Sequence, residues 1–288
     1  MGPNLAELAG WPLERLNSAS QAITSSSLLV GPAIAGGLIA LIGPSKVLWV
    51  DAASFAFSAV MVAALVPSTK TVASEHGNYF EDVLAGLRFL KNDRLMRTIL
   101  IAAACTNFLD TPLFSVVLPV FANEQYGHAS DLGLMLAGMG AGSVAGALLF
   151  GSVGARFPKR PQLIAFFVLF GLPLFILAFS PPLLVSVGAM ALVGLATGGI
   201  NPLAITAIQE RTPAEMLARV FGSVIAAALI AAPLGALLGG VAVDAFGVTK
   251  VIVLIGALIF AAGVWLGFQP ALAELDEPKL NQPSEELV

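Results

Sequence analysis

One charged side chain stands deep inside an apolar stretch of this sequence. Asp110 lies within the apolar residues 95–121. Asn107 comes three positions before it, a separation that places both side chains on one face of a helix. Ionisable groups are costly within a membrane and mark ion or substrate pathways there. Asp110 could therefore take up and release a proton, bind a cationic substrate without proton movement, or only cap a helix break before Pro112.

Two further groups of residues could line a cavity or contact the surrounding helices. Asn201 precedes Pro202 in a glycine-containing stretch, where it could pack between helices or line a cavity. A short loop between apolar stretches holds a glycine and three basic residues: Gly151, Arg156, Lys159 and Arg160. Basic residues in such loops determine the orientation of the protein in the membrane. They could also form an ion pair that gates a neighbouring helix.

The remaining polar residues form no pattern typical of an enzyme. The two histidines, His76 and His128, fall in polar segments, and their spacing matches no zinc site. The single cysteine, Cys105, lies in an apolar stretch, so no disulfide can form within the chain. The sequence has no phosphate-binding glycine loop and no basic aromatic patch that would indicate nucleic acid. We therefore predict a protein without catalytic residues, cofactor, metal site or nucleic-acid partner.

The composition places these residues in a membrane protein. Hydrophobic residues make up 57% of the chain and charged residues only 11%, whereas about a quarter of a soluble domain is charged. A membrane-spanning helix needs about 20 mostly apolar residues, and about eight stretches meet this requirement. They are 18–42, 47–66, 95–121, 132–153, 162–179, 183–208, 218–246 and 251–268. The predicted fold class is an all-α membrane protein embedded in the lipid bilayer.

A polar interval divides the predicted spans unevenly. Within residues 67–94, apolar positions recur at helical spacing opposite charged ones, which predicts an amphipathic helix along the membrane surface. Two spans in residues 1–66 precede this linker, and six spans in residues 95–268 follow it. The acidic residues 269–288 are predicted to be a disordered tail.

The basic residues indicate how the spans are oriented. Of 14 Lys and Arg residues, all but Lys46 and Lys250 fall on one side of the predicted bundle. Loops rich in Lys and Arg remain on the cytoplasmic side of a membrane. Both termini and the linker are therefore predicted to be cytoplasmic, which an even number of spans allows.

One hydrophobic segment occurs twice. The first copy begins at Leu13-Glu14-Arg15-Leu16 and ends at Gly43-Pro44-Ser45-Lys46-Val47. Related residues recur 204 positions later, as Leu217-Ala218-Arg219-Val220 and Gly247-Val248-Thr249-Lys250-Val251. Internal repeats are typical of transporter folds. If the halves are equivalent, the first lacks about four spans, and the chain corresponds to the C-terminal two thirds of a protein of roughly 400 residues and twelve spans.

The first copy of the repeat carries Gly31, Pro32, Gly36 and Gly37. These residues resemble the antiporter signature in the fifth helix of the major facilitator superfamily, except that Ser27 stands where the fuller pattern has glycine. Other stretches resemble the bacterial exporters of that family, such as the enterobactin exporter and the macrolide-efflux proteins. They are Arg15-Leu16-Asn17-Ser18, Asp51-Ala52-Ala53-Ser54-Phe55, Gly86-Leu87-Arg88-Phe89-Leu90 and Gln209-Glu210-Arg211-Thr212-Pro213. The loop from Gly151 to Arg160 is similar to the family's cytoplasmic loop motif, without its usual acidic residue.

This resemblance implies a function and a location. It implies a secondary active transporter of a bacterial plasma membrane, exporting small amphipathic molecules of the drug or siderophore type by proton antiport and alternating access. Asp110 and Asn107 would then lie on a helix that lines the central cavity, and Gly31 and Pro32 would permit a bend or close packing. The alternative is a truncated, transport-inactive fragment. The chain could also be one subunit of a split transporter, with another chain supplying the missing N-terminal helices.

Overall fold

The computed structural model describes residues 12–65, 84, 86, 88, 90–213 and 216–276. Within these residues every regular element is a helix. The α-helices are α1 (Leu13–Ile42), α2 (Pro44–Leu65), α3 (Arg94–Pro112), α4 (Leu118–Gln125), α5 (Ala129–Val153), α6 (Lys159–Leu177), α7 (Leu183–Arg211), α8 (Leu217–Phe246) and α9 (Val248–Gly267). A π-helical segment, Leu113–Val117, joins α3 to α4. Short 3₁₀ segments form at Gly154–Arg156 and Pro270–Asp276.

Seven helical stretches of the described chain are long and apolar enough to cross a membrane. One of them, Arg94–Gln125, consists of α3, the π-helical segment and α4, and the others come from α2 and α5 to α9. This result confirms the predicted all-α membrane fold. α1 corresponds to the first predicted span, residues 18–42, and is not among the seven. Its first half is polar, and Asn17, Ser18 and Ser25 are buried there.

The repeat in the sequence is also a repeat in the structure. α1 and α8 each contain 30 residues, and their ends are separated by the same 204 positions. Both helices stop at a glycine with positive φ, +81° at Gly43 and +85° at Gly247, and the next helix begins at the following residue. Residues with a side chain rarely adopt such values of φ, so glycine permits both abrupt reversals of the chain.

α5 and α7 touch backbone to backbone. A Cβ atom added to Gly142 of α5 would collide with the carbonyl oxygen of Ala191, and one added to Gly198 of α7 would collide with that of Ser143. Burying apolar side chains gains little within lipid, so membrane helices associate through close contact at small residues. The glycines around Asn201 therefore serve packing, and they fix α7 tightly against α5.

The buried apolar core lies among α3, α6, α7 and α9. Phe170 and Leu174 of α6 are fully buried, and Gly171 of the same helix lies directly against the backbone of α9 at Gly256. Other apolar side chains face outward, and Trp49 of α2 and Leu229 of α8 are 78% and 69% exposed. Lipid chains are as apolar as these side chains, so their exposure is compatible with a membrane-embedded surface.

Part of the predicted amphipathic linker belongs to the described residues. Leu90 is buried, whereas Arg88 and Leu84 are exposed, Leu84 to 46%. The amphipathic character of the linker therefore stays a prediction. A Cβ atom on Gly86 would collide with the carbonyl oxygen of Arg219, so the linker packs directly on the first turns of α8. The rest of the linker lies outside the described residues.

The segment after α9 differs from the disordered tail expected from its composition. Pro270–Asp276 forms a 3₁₀ segment that packs against α3 and α6. Its two leucines, Leu272 and Leu275, are buried. Two leucines three positions apart face the same side of a 3₁₀ helix, which has three residues per turn. These apolar contacts outweigh the acidic character of the segment. Residues 277–288 lie outside the described part of the chain.

Candidate functional site

Asp110 lies near the middle of the span formed by α3, the π-helical segment and α4. α3 starts at a side-chain cap, in which Asp93 Oδ1 accepts a 2.8 Å hydrogen bond from the backbone N–H of Met96. It ends at Pro112, which cannot donate a backbone hydrogen bond, and the chain continues in a wider π-helical turn. π-helical turns are rare and often occur at functional sites. The helix is thus irregular one half-turn after Asp110.

A cavity of about 180 Å³ lies between α3, α6, α7 and the 3₁₀ segment after α9. Its polar lining consists of Thr106, Asn107, Asp110 and Asn201. Its apolar lining consists of four alanines and six larger side chains, Ile99, Leu163, Phe167, Ile200, Leu203 and Leu275. Small-molecule sites are typically apolar with a few convergent polar groups. The structure therefore brings together all three cavity residues singled out in the sequence.

The carboxylate of Asp110 is uncompensated within this cavity. Its Oδ1 is buried and has no hydrogen-bond partner among the described residues. The neighbouring amide is already engaged, because Asn107 Nδ2 donates to the carbonyl oxygen of Ala103 at 2.8 Å. The described lining residues include no lysine or arginine. A buried charge without a partner is costly, so either a proton or a cationic ligand would find an unused acceptor here.

A second cluster of charges joins the ends of α1, α6 and α7. Lys159 Nζ lies 3.2 Å from Glu14 Oε1 and 2.5 Å from Glu210 Oε2. All three side chains are largely buried. We call this end of the bundle, where Lys159 and the other basic loop residues lie, the basic end. Sequence reasoning marked Lys159 and allowed for an ion pair with a neighbouring helix, but it did not identify the two carboxylates as the partners, because they lie far from Lys159 along the chain.

Hydrogen bonds beside this cluster tie α1 to α5 and α7. Asn17 Nδ2 donates to Thr206 Oγ1 at 2.8 Å and to Gln209 Oε1 at 2.7 Å. Further along α1, the hydroxyl groups of Ser25 and Ser143 form a buried hydrogen bond of 2.7 Å. α1 is therefore held at two levels by polar side chains rather than by apolar packing alone.

The other basic loop residues have separate surroundings. Arg160 donates from Nη2 to the carbonyl oxygen of Gly267 at 2.8 Å, at the end of α9. Gly151 lies against Ser18 of α1, and Arg156 lines the open groove beside this contact. Neither Arg156 nor Arg160 belongs to the Lys159 cluster.

The residues of the antiporter motif lie within the helical backbone of α1. They are Gly31, Pro32, Gly36 and Gly37. The structure describes their backbone as helical, but the surroundings of these four residues lie outside what it describes. The bend or close packing expected of them therefore stays a prediction.

Comparison with known proteins identifies the family of this chain. A family model described as Major Facilitator Superfamily matches residues 100–286, close to two thirds of the chain. The chain belongs to the major facilitator superfamily. This result confirms the resemblance seen in the sequence motifs. Proteins of this superfamily contain two halves that are parallel repeats of each other, and the equivalence of α1 and α8 fits that architecture.

Several similar members of the superfamily bear names that refer to efflux. Multidrug efflux pump Tap of Mycobacterium tuberculosis (strain ATCC 25618 / H37Rv) is 33% identical over 279 residues, which cover 96% of this chain and 66% of that protein. Multidrug efflux pump Tap of Mycolicibacterium fortuitum is 30% identical, with coverages of 96% and 68%. Macrolide efflux protein A of Streptococcus pyogenes is 24% identical, with coverages of 85% and 62%. This chain spans about two thirds of the length of these relatives.

Proposed function

We propose that this chain acts in the secondary active export of small amphipathic molecules, of the drug or siderophore type, by proton antiport. Its relatives named for multidrug and macrolide efflux support the substrate class. The mixed lining of the cavity supports it independently, because apolar walls and amide groups together suit an amphipathic ligand. At about 180 Å³ the cavity holds only part of a drug-sized molecule, so binding requires the surrounding helices to move apart.

The observation that carries the proposal is the unpartnered Oδ1 of Asp110. A proton and a cationic or hydrogen-bonding substrate would compete for this one acceptor. If each displaces the other, substrate occupies the site while the transporter moves it outward. A proton occupies the site while the transporter, without substrate, returns to face the cytoplasm. Such competition couples the two movements without any covalent step. A ligand shifts the equilibrium between two conformations only if it binds them with different affinities. The protonated and ionised forms of Asp110 would provide that difference in affinity.

The arrangement of helices supports alternating access. In this proposal, α1 and α2 in residues 1–66 belong to the N-terminal half, and the six spans within residues 95–268 form the C-terminal half. The linker in residues 67–94 joins the two halves. The basic end faces the cytoplasm, since loops rich in Lys and Arg are retained there, and the protein lies in the plasma membrane of a bacterium.

The contacts of α1 then act as a lock between the halves. Lys159 and Glu14 attract each other across the interface, and Asn17 donates two hydrogen bonds across it to α7. Closure at the basic end requires these contacts, and opening towards the cytoplasm requires that they break. Their polar character suits this role, because water can replace a hydrogen bond or an ion pair but cannot replace apolar packing.

The test compares Asp110→Asn with Asp244→Asn, an exposed carboxylate near the end of α8. Each variant is reconstituted in liposomes, and transport of a radiolabelled macrolide is measured with and without a pH gradient. We expect Asp110→Asn to abolish gradient-driven transport and to retain exchange of labelled for unlabelled substrate. Asp244→Asn should behave as the unchanged protein.

Three results would count against the proposal. Transport by Asp110→Asn with an unchanged response to the pH gradient would refute proton coupling at this residue. Loss of transport of a cationic substrate only, with a neutral substrate still driven by the gradient, would assign Asp110 to substrate binding. If the unchanged chain neither binds nor transports substrate, this chain by itself is not an exporter.

A further inference from the structure

The cavity beside Asp110 has a polar mouth and an apolar end. At the mouth, the lining residues Asn107 and Asn201 are exposed. Towards the basic end the lining is buried and apolar, and its larger side chains are Ile99, Leu163, Phe167, Leu203 and Leu275. On α3, Ile99 comes eleven residues before Asp110, which corresponds to about 16 Å along a helix. A ligand would therefore keep its polar group at the mouth and extend its apolar group towards the basic end.

The apolar end of the cavity is closed by a residue from outside the membrane spans. Leu275 belongs to the 3₁₀ segment Pro270–Asp276, whereas the other described lining residues belong to α3, α6 and α7. The side chain of Leu275 is buried, and so is that of Leu272 in the same segment. Leu272 does not line the cavity. The two leucines therefore differ in role, since both pack the segment against the bundle and only Leu275 limits the cavity.

Polar contacts hold the 3₁₀ segment at both of its ends. Just before the segment, the carbonyl oxygen of Gly267 accepts a 2.8 Å hydrogen bond from Arg160 Nη2. At the last residue of the segment, Asp276 Oδ1 accepts hydrogen bonds from the backbone N–H groups of Lys159 and Arg160, where α6 begins. A carboxylate at this position also interacts favourably with the helix dipole. These contacts fix the position of Leu275, which is adjacent to Asp276.

We propose that Leu275 sets the length of the apolar group that the cavity accepts, and that its ligands are cationic amphiphiles with one short apolar chain. This inference rests on the proposed function, because it takes the Asp110 cavity as the substrate site. The cation would lie at Asp110 Oδ1, and the apolar chain would extend from there to Leu275. Each methylene group that leaves water adds to the affinity. A methylene group beyond Leu275 has no space, because protein interiors are close-packed.

The test measures the binding of n-alkyltrimethylammonium ions, from ethyl to decyl, to the purified chain by isothermal titration calorimetry. The same titration of protein-free detergent micelles is subtracted. In the unchanged protein, affinity should rise about fourfold for each added methylene group until the alkyl chain reaches Leu275, and should then stop rising. Leu275→Ala should move this length limit to chains longer by at least two carbons. Leu275→Phe should move it to shorter chains, and Leu275→Met, of similar volume, should leave it in place.

Leu272→Ala is the matched control, because it removes the same atoms from the same segment at a position that does not line the cavity. It should lower the melting temperature about as much as Leu275→Ala and leave the length limit unchanged. Equal shifts of the limit in the two variants would assign the limit to the packing of the segment and would overturn the inference. A limit that stays in place in both Leu275→Ala and Leu275→Phe would overturn it as well.

The same titrations separate this inference from the proposed function. A length limit that follows the side chain at position 275, in a chain that transports nothing, would uphold the inference and refute export by this chain. Transport of a macrolide, together with a limit that does not depend on Leu275, would refute the inference alone. If the unchanged chain binds none of these ions, the cavity is not a site for cationic amphiphiles, and the inference fails together with that part of the proposed function.

Discussion

Lys159 of α6 and Glu14 of α1 form an ion pair of 3.2 Å, and the same ammonium group bonds Glu210 of α7. One cation thus offsets two largely buried carboxylates on two different helices. The arrangement differs from a surface salt bridge, which contributes little because water screens it. Here the loss of the cation would leave the buried carboxylate of Glu14 without its ion pair and would remove one ionic partner of Glu210. Both changes favour separation of these helices from α6.

Replacement of Lys159 should loosen the basic end. Breaking a buried ion pair from one side costs about 3–5 kcal/mol, so Lys159→Gln should lower the melting temperature measured in detergent by the loss of helical circular dichroism. Lys159→Arg keeps the charge and should retain most of the stability. Lys46→Gln, an exposed lysine at the opposite end, is the control. A melting temperature of Lys159→Gln equal to that of the unchanged protein would show that the cluster does not stabilise the fold.

The stability of the protein should depend on the hydrogen-bond donor of Asn17 more than on the size of its side chain. Asn17→Asp keeps the size of the side chain but cannot donate to Thr206 Oγ1, which is buried, or to Gln209 Oε1, which is partly buried, so both acceptors lose this donor. Such a loss costs about 1–3 kcal/mol for each buried group. We expect Asn17→Asp to destabilise at least as strongly as Asn17→Ala in thermal unfolding. Ser27→Ala, which removes an exposed hydroxyl bonded within its own helix, should have little effect.

Two glycines of α5 should respond in opposite directions to the same substitution. Gly142→Ala places a methyl group against the carbonyl oxygen of Ala191, which belongs to a backbone that cannot turn aside. It should separate α5 from α7 and reduce the yield of folded protein in detergent. Gly133→Ala, in the same helix, places its methyl group in open space and should be neutral or slightly stabilising, since Ala favours helix more than Gly by about 1 kcal/mol. Equal behaviour of the two variants would contradict the close contact.

Filling the cavity should prevent binding without affecting the fold. Ala103 lines the cavity beside Asn107, and Ala103→Phe would occupy much of its volume. We expect substrate affinity, measured by quenching of tryptophan fluorescence, to fall at least tenfold while the melting temperature changes little. Ile101→Phe, at a neighbouring and largely exposed position of α3, is the control. Unchanged affinity in Ala103→Phe would place the substrate elsewhere.

The elements of this fold could be predicted from the sequence because membrane spans depend on length and apolar composition alone. The predicted spans end at residues 42 and 246, where α1 and α8 end, since the glycines at Gly43 and Gly247 are a local requirement. The start of α1 lies at Leu13, five residues before the predicted start at residue 18. Asp110 and Asn201 line the same cavity because of the way α3 packs on α7, and no local sequence pattern contains this information. The same holds for Glu14, whose partner Lys159 is distant in sequence. The 3₁₀ segment was missed because its composition is acidic, although two leucines determine its packing.

The backbone contacts between α5 and α7 differ from the side-chain contacts of α1 in how easily they can break. At Gly142 and Gly198 one backbone rests on another, and no side chain there can rotate to let the helices slide. The contacts of α1 are instead made by flexible side chains such as Asn17, each of which can exchange its partner for water. We therefore expect α5 and α7 to move as one body, and the polar contacts of α1 to break more easily than the backbone contacts between α5 and α7.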